Sequence, residues 1–398
     1  MLWRSPLPHF IASVHFTSTG RMATDSPTST APKPPPSPST TATATSTTAS
    51  TPDQLPIRPP PQQTHHQDGP AAFDIVRAYH DLLATDPDIT MPVAAIESLI
   101  ELLRATPSTT AMETVEVVKK EKARLLASAP NPLPLLAGAD LFEQYLLRSL
   151  RGQAASASDP ILNFDETRAH LLHNSQLFAQ RAKADRDKLA LVGSKYVHNG
   201  KVVLAAGGSR VVTKILLRAA ADPTKHFKVI LIMDGSPRSA ASVAALRHAG
   251  LEVETISPNK VAYVLKDQSQ IDLVLVGTEA VLQNGGIVSR MGTFQLAHLT
   301  KHVKGALKRF FVAAETHKIV RKTALAHPQV LRLGINQKDI SRFENVGRER
   351  GEISAAAHDM VAEQDEVDYT DPEFIDGFIT EQGVKMTTQI WEMIDDYI

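Results

Sequence analysis

The sequence predicts an α/β protein: a helical domain over 71–195, then a domain over 196–398 built on a mostly parallel sheet. Two observations carry that expectation. Between Phe73 and Ser194 apolar residues recur at helical spacing, with no strand signal among them. From Lys201 onward five short, nearly all-apolar runs alternate with helical ones. Strands that are apolar on both sides belong to a parallel sheet covered on both faces.

Residues 1–70 form a separate region. From Ala23 it is dominated by Thr, Ser, Pro and Ala, as in TDSPTSTAPKPPPSPSTTATATSTTAS. Such a stretch cannot bury enough apolar surface to offset chain entropy, so it is expected to be a disordered tail. The first 21 residues lack acids and carry Arg4 and Arg21, as a transit peptide would. A start at Met22, or a plain tail, is the alternative.

The helical domain opens with Phe73, Val76, Tyr79, Leu82 and Leu83 on one face. Thr90-Met-Pro-Val then offers an N-cap with proline in the first turn. The helix behind it carries Val93, Ile96, Leu99, Ile100 and Leu103. Thr114–Ala127 and Ala139–Arg151 follow, separated by Pro130, Pro132 and Pro134, and Asp165–Ser194 is a long helical stretch. The strand expectations are 202–206, 228–233, 252–256, 273–277 and 309–314. Helices are expected near 210–221, 238–249, 259–266 and 293–303. Residues 322–366 read as an irregular excursion, and the closing TEQGVKMTTQIWEMIDDYI as a helix.

Composition excludes several classes. Forty-two Lys and Arg against 43 Asp and Glu leave no global basic field for nucleic acid. With zero cysteines there is no disulfide, thiolate metal site or cysteine nucleophile. No apolar run reaches the roughly 18 residues that span a bilayer. His170 and His173 lie one helical turn apart with no third ligand in reach, so no metal is expected.

Three motifs remain, all after strands. LAAGGSRVV puts Gly207, Gly208, Ser209 and Arg210 between a strand and a helix, where backbone N–H groups hold anions. A tight turn capped by Ser209 is the plain alternative. LVLVGTEAVLQNGG brings Glu279 to the end of a buried strand, with Asn284 and Gly285 in a turn beyond it. Asn284 and Gly285 are expected to line a ligand-site wall beside Glu279; Glu279 capping a helix, with a plain Asn-Gly-Gly turn, is the alternative. AAETHKIVR supplies Glu315, His317, Lys318 and Arg321 after the last strand, with Lys318 the candidate phosphate partner. These segments meet along the C-terminal edge of a parallel sheet, the usual place for a small ligand.

DPDITMPVAAIESLIELL (86–103), VGTEAVLQNGGIVSRMGTFQLA (276–297) and VDYTDPEFIDGFITEQGV (367–384), with VVLAAGGSRVV and AAETHKIVR, resemble the alpha-subunit family of eukaryotic translation initiation factor 2B. The resemblance runs from about Phe73 to Ile398 and implies a Rossmann-like C-terminal domain. The wider superfamily holds ribose-bisphosphate and methylthioribose-phosphate isomerases. Their catalytic cysteine falls by position on Gly207, their aspartate on Glu279, their turn aspartate on Gly286 and their Asn-Lys pair on Ser289-Arg290. An arginine or glutamine usual before the proline of MDGSPR is Ser236. The resemblance therefore implies a non-catalytic, cytoplasmic regulatory subunit of a guanine-nucleotide exchange factor, with no catalytic residue and no cofactor beyond a sugar-phosphate-type ligand. It also implies a homodimer that bridges the other subunits and senses the phosphorylated alpha subunit of initiation factor 2. No direct nucleic-acid or membrane partner is expected. Thr90, Glu97 and Glu101, read as exposed positions of the second helix, are the candidate partner contacts. A sugar-phosphate isomerase with altered chemistry is the alternative.

Overall fold

The computed structural model describes residues 73–106, 110–154, 180–267, 270–303, 308–326, 332–337 and 366–396, with isolated positions 169 and 329. The tail, residues 165–179 apart from 169 (His170 and His173 among them), and most of the 322–366 excursion lie outside the described residues.

Four helices open the described chain: α1 (Ile75–Thr85), α2 (Met91–Ala105), α3 (Ala111–Ser128) and α4 (Leu133–Ala154). Their starts follow local chemistry. The Asp74 side chain accepts from the N–H of Val76, and that of Thr110 from the N–H of Glu113. Pro134 does not delay α4, as the sequence suggested. It sits in the first turn, where a missing N–H breaks no helical bond. α2 is the centre of the bundle: ten of its fifteen residues are buried, including Ile96, Leu99 and Leu103. Each large aliphatic side chain so buried contributes about 1.5–3 kcal/mol. A further helix, α5 (180–194), leads into the sheet.

The main sheet uses β1 (Val202–Ala206), β2 (Lys228–Ile232), β3 (Glu252–Ile256), β4 (Ile271–Gly277), β7 (Arg309–Ala313), β10 (Gly377–Thr380) and β11 (Gly383–Lys385). Their order is β11-β10-β7-β4-β1-β2-β3, parallel except for β11. The connecting helices are α6 (Arg210–Ala220), α7 (Pro237–His248), α8 (Val261–Asp267) and α9 (Thr293–His302). Alternate strand residues serve opposite faces. Val203, Ala205, Leu273 and Leu275 pack with α6 and α7, while Leu204, Val274 and Val276 pack with α8 and α9.

Two regions depart from the sequence expectations. The Asn-Gly-Gly turn expected after β4 is the tip of a hairpin of β5 (Ala280–Leu282) and β6 (Ile287–Arg290). With β8 (Ile319–Val320) and β9 (Val367–Thr370) it forms a second sheet of order β8-β5-β6-β9. The closing segment begins as strands β10 and β11, and only Ile390–Asp396 is helical (α10). Gly383 explains this: at φ +110° it turns the chain back so that β11 pairs antiparallel with β10, a conformation that no right-handed helix contains.

Candidate functional site

The strand order reverses direction between β1 and β4. A cavity of about 170 Å³ opens there, at the C-terminal ends of β1, β2 and β4. A single water needs only about 10–15 Å³ by this measure. Such a crevice is where open α/β sheets hold ligands.

Five basic side chains, Arg186, Arg210, Arg238, Arg290 and Lys318, line it against three acids, Asp234, Glu279 and Glu315. The balance is two positive charges, which favours an anion. Most of these groups are already engaged. Glu315 is fully buried and pairs with Lys318 at 2.9 Å and with Arg186 at 3.4 Å. Burial disfavours its charge, but Lys318, the neighbouring His317 and Arg186 outweigh that and hold the carboxyl well below its usual range. Burial likewise pushes His317 down to about 4, so it is neutral, and its Nε2 meets the Thr90 hydroxyl at 3.2 Å. Lys318 Nζ also donates to the carbonyl of Thr278 at 3.1 Å. Arg290 Nη1 pairs with Asp234 Oδ2 at 2.9 Å.

The helical segment closes the cavity from above. Arg210 Nη1 donates to the carbonyls of Pro87 (2.5 Å) and Ile89 (2.8 Å), and Arg186 Nη2 to that of Asp88 (2.9 Å). Asn131 Nδ2 donates to Glu279 Oε2 at 2.7 Å. Burial, with Arg186 and Arg238 nearby, disfavours the charge on Arg210. Arg238 is exposed and forms no ion pair among the described residues.

Of the residues singled out from sequence, Gly207, Gly208, Ser209, Arg210, Glu279 and Lys318 line the cavity. Ser209 caps α6, its hydroxyl facing the N–H of Val212 at 3.5 Å. Gly207 has φ +62°, a left-handed conformation. Gly208 answers to a different demand: a Cβ there would lie 2.4 Å from the backbone of Arg238. Its missing side chain lets the starts of α6 and α7 touch.

Asn284 and Gly285 do not join the cavity wall. They turn the β5–β6 hairpin away from it, and Asn284 Nδ2 donates to the Ala324 carbonyl (2.6 Å) and the Tyr369 hydroxyl (3.0 Å). Arg321 is exposed and outside the lining. Thr90 is not an exposed helix position: it is buried and faces the cavity. Glu97 and Glu101 are half-buried, because α2 is the core of its bundle. Burial, and then Glu101 beside it, raise the Glu97 carboxyl above its ordinary value.

Sequence reasoning missed Arg186, Asp234 and Arg238. Asp234 and Arg238 follow β2 on the same sheet edge, so the edge rule could have found them. Arg186 lies within a helix and gave no signal.

These features define an α/β fold with a switch-point cavity lined by basic side chains and covered by the N-terminal helices. The chain belongs to the initiation factor 2 subunit family, whose model matches residues 84–387. It is 27% identical to the alpha subunit of translation initiation factor eIF2B from Dictyostelium discoideum, over 78% of this chain and 93% of that protein. It is 28% identical to ribose 1,5-bisphosphate isomerase of Archaeoglobus fulgidus, over 40% of this chain and 49% of that enzyme. The tetrameric eIF2B-beta2-delta2 complex from C. thermophilum shares the fold, with a TM-score of 0.60 at 20% identity over 82% of this chain and 96% of that one. The chain is thus a translation initiation factor 2B type of subunit. Among the described residues no helix is long and apolar enough to cross a membrane.

Proposed function

We propose that this protein is the regulatory, non-catalytic alpha-type subunit of the cytoplasmic guanine-nucleotide exchange factor for initiation factor 2. In this reading it forms a homodimer that joins the other subunits, responds to the phosphorylated alpha subunit of initiation factor 2, and holds a sugar phosphate in its switch-point pocket. The observation that carries the assignment is the match to an alpha-type relative along nearly that relative's whole length. Two features support a binding pocket over an isomerase site. Gly207 presents no side chain for nucleophilic or acid chemistry. Lys318 and Glu315 line the cavity as an ion pair, so neither stands there as an uncompensated acid or base.

The sugar phosphate would place its anion at the start of α6, beside Gly208, Arg210 and Arg238, and its hydroxyls toward Glu279. Exposed Met291, Phe294 and Trp391 support association through the α/β domain. Leu296, Ala297 and Met393, by contrast, are buried within this chain. Light scattering should give about twice 43.3 kDa. Pull-down of the other subunits, with and without the phosphorylated substrate subunit, tests the assignment. A monomer that captures none of them overturns it.

The alternative isomerase reading draws on one observation: Glu279 stays in the cavity, bonded to Asn131. Turnover of a phosphorylated aldose would establish it.

A further inference from the structure

The loop after β2 is folded around one carboxylate. Asp234 Oδ1 accepts from the Ser236 N–H (2.9 Å), the Ser236 hydroxyl (2.7 Å) and the Ser239 hydroxyl (2.5 Å), and Oδ2 pairs with Arg290. Asp234 therefore sits at the start of α7, held by the N–H of its N-cap residue Ser236 and by two hydroxyls, on the side where the helix dipole favours an anion. It also neutralises Arg290 inside the cavity. Gly207 stands opposite: a Cβ there would be 3.7 Å from Asp234 Oδ2 and 3.8 Å from Arg290 Cδ. The pair thus forms one wall of the ligand space.

The consequences for charge are specific. Glu315 neutralises one of Arg186 and Lys318, and both are tied to groups of the chain. Arg290 is matched by Asp234. Glu279 offsets the one positive charge left over there, so the net two positive charges fall to Arg238 and to Arg210, which also donates to Pro87 and Ile89, beside the start of α6. That is an environment for one phosphate. A second phosphate on the ligand would meet Asp234 at the start of α7 or Glu279 at the other side, and like charges brought together in a cleft repel.

We propose that Asp234 is an internal counter-anion that restricts the pocket to ligands carrying a single phosphate. The inference rests on the sugar-phosphate reading above and adds its specificity determinant. Asp234 occupies by covalent attachment the anion position that a bisphosphate would need. The Asp234 carboxylate is suited to this: burial opposes its charge, but Ser239, Ser236 and Arg290 together hold its carboxyl below the ordinary range. It stays ionised at neutral pH.

The test is calorimetry on the full chain with glucose 6-phosphate and glucose 1,6-bisphosphate, which differ by one phosphate. Wild type should bind the monophosphate at least tenfold more tightly. Asp234→Asn keeps the size and one acceptor and removes the negative charge beside Arg290. It should tighten the bisphosphate about tenfold more than it tightens the monophosphate. Asp234→Glu, which keeps the charge, should retain the monophosphate preference. Thermal unfolding of each variant checks that the fold survives. If Asp234→Asn does not fold, Arg290→Gln takes its place: leaving Asp234 uncompensated, it should weaken the bisphosphate more than the monophosphate. Wild type binding the bisphosphate as tightly as the monophosphate overturns the inference and leaves the pocket reading standing. So does an unchanged ratio in Asp234→Asn, or in Arg290→Gln where it stands in. If wild type binds neither, the pocket reading falls and the inference with it.

Discussion

Gly208→Ala separates two reasons for a glycine at this site. If the glycine admits a phosphate, alanine weakens ligand binding and leaves stability alone. The structure gives the other reason. An added Cβ would stand 2.4 Å from the Arg238 carbonyl carbon, 2.5 Å from Ser239 N and 2.6 Å from Arg238 Cβ. Ordinary carbon contacts are about 3.5–4.0 Å, so α7 must retreat by roughly an ångström. It cannot do so freely, because Ser236 and Ser239 at its start are bonded to Asp234. Overpacking of this kind costs about 1–3 kcal/mol, and an obstacle made of backbone puts it near the upper end. For a domain of this size that is a fall in Tm of roughly 4–10 °C. The control is Gly207→Ala. There the added atom meets nothing closer than 3.7 Å, and the cost is about 1 kcal/mol from forcing alanine to φ +62°. Thermal unfolding followed by circular dichroism measures both. A Gly208→Ala protein with wild-type Tm, or one less affected than Gly207→Ala, refutes the packing argument.

Glu315→Gln should be among the most damaging single changes. It leaves Arg186 and Lys318 without their buried counter-charge, at a cost of about 3–5 kcal/mol, read as a lower urea midpoint. The depressed Glu315 pKa adds stability that is present above the unfolded carboxyl value of about 4.3 and is lost as pH falls below it. Asp368 runs the other way. Its Oδ2 accepts from the N–H groups of Gly292 and Phe294, its Oδ1 has no partner among the described residues, and burial raises it to about 7. Between pH 4 and 7 the unfolded carboxyl ionises while the folded one keeps its proton, so this group makes stability fall as pH rises, then level off above 7. Asp368→Asn should flatten the Tm profile over that range, and an unchanged slope would refute the assignment. Arg210→Ala removes the donor to Pro87 and Ile89 and should speed amide exchange in residues 86–90 with a loss of about 1–3 kcal/mol. Exchange confined to other segments would show that this contact does not hold the roof.

Periodicity made most of the fold legible. β1, β3 and α9 lie within a residue of where their patterns placed them, because an element that buries one face or two must carry that period in its sequence. The sequence by itself also determined that no thiol chemistry occurs here, and that Gly207, Glu279 and Lys318 would share one sheet edge, since each follows a parallel strand. It did not determine which side chains turn inward. Asn284 has the composition of a ligand contact, yet it serves a hairpin, because Ala324 and Tyr369, 40 and 85 residues away, supply its partners. Thr90 reads as a surface cap but is buried against His317, 227 residues on. Asp234 and Arg290 give no local signal of being a pair. These are long-range polar contacts: a hydroxyl or carboxylate is equally at home in water, so nothing in its neighbourhood along the chain records a buried partner. Apolar burial leaves a period in the sequence, whereas the pairing of buried charges was decided only when the strands and helices came together.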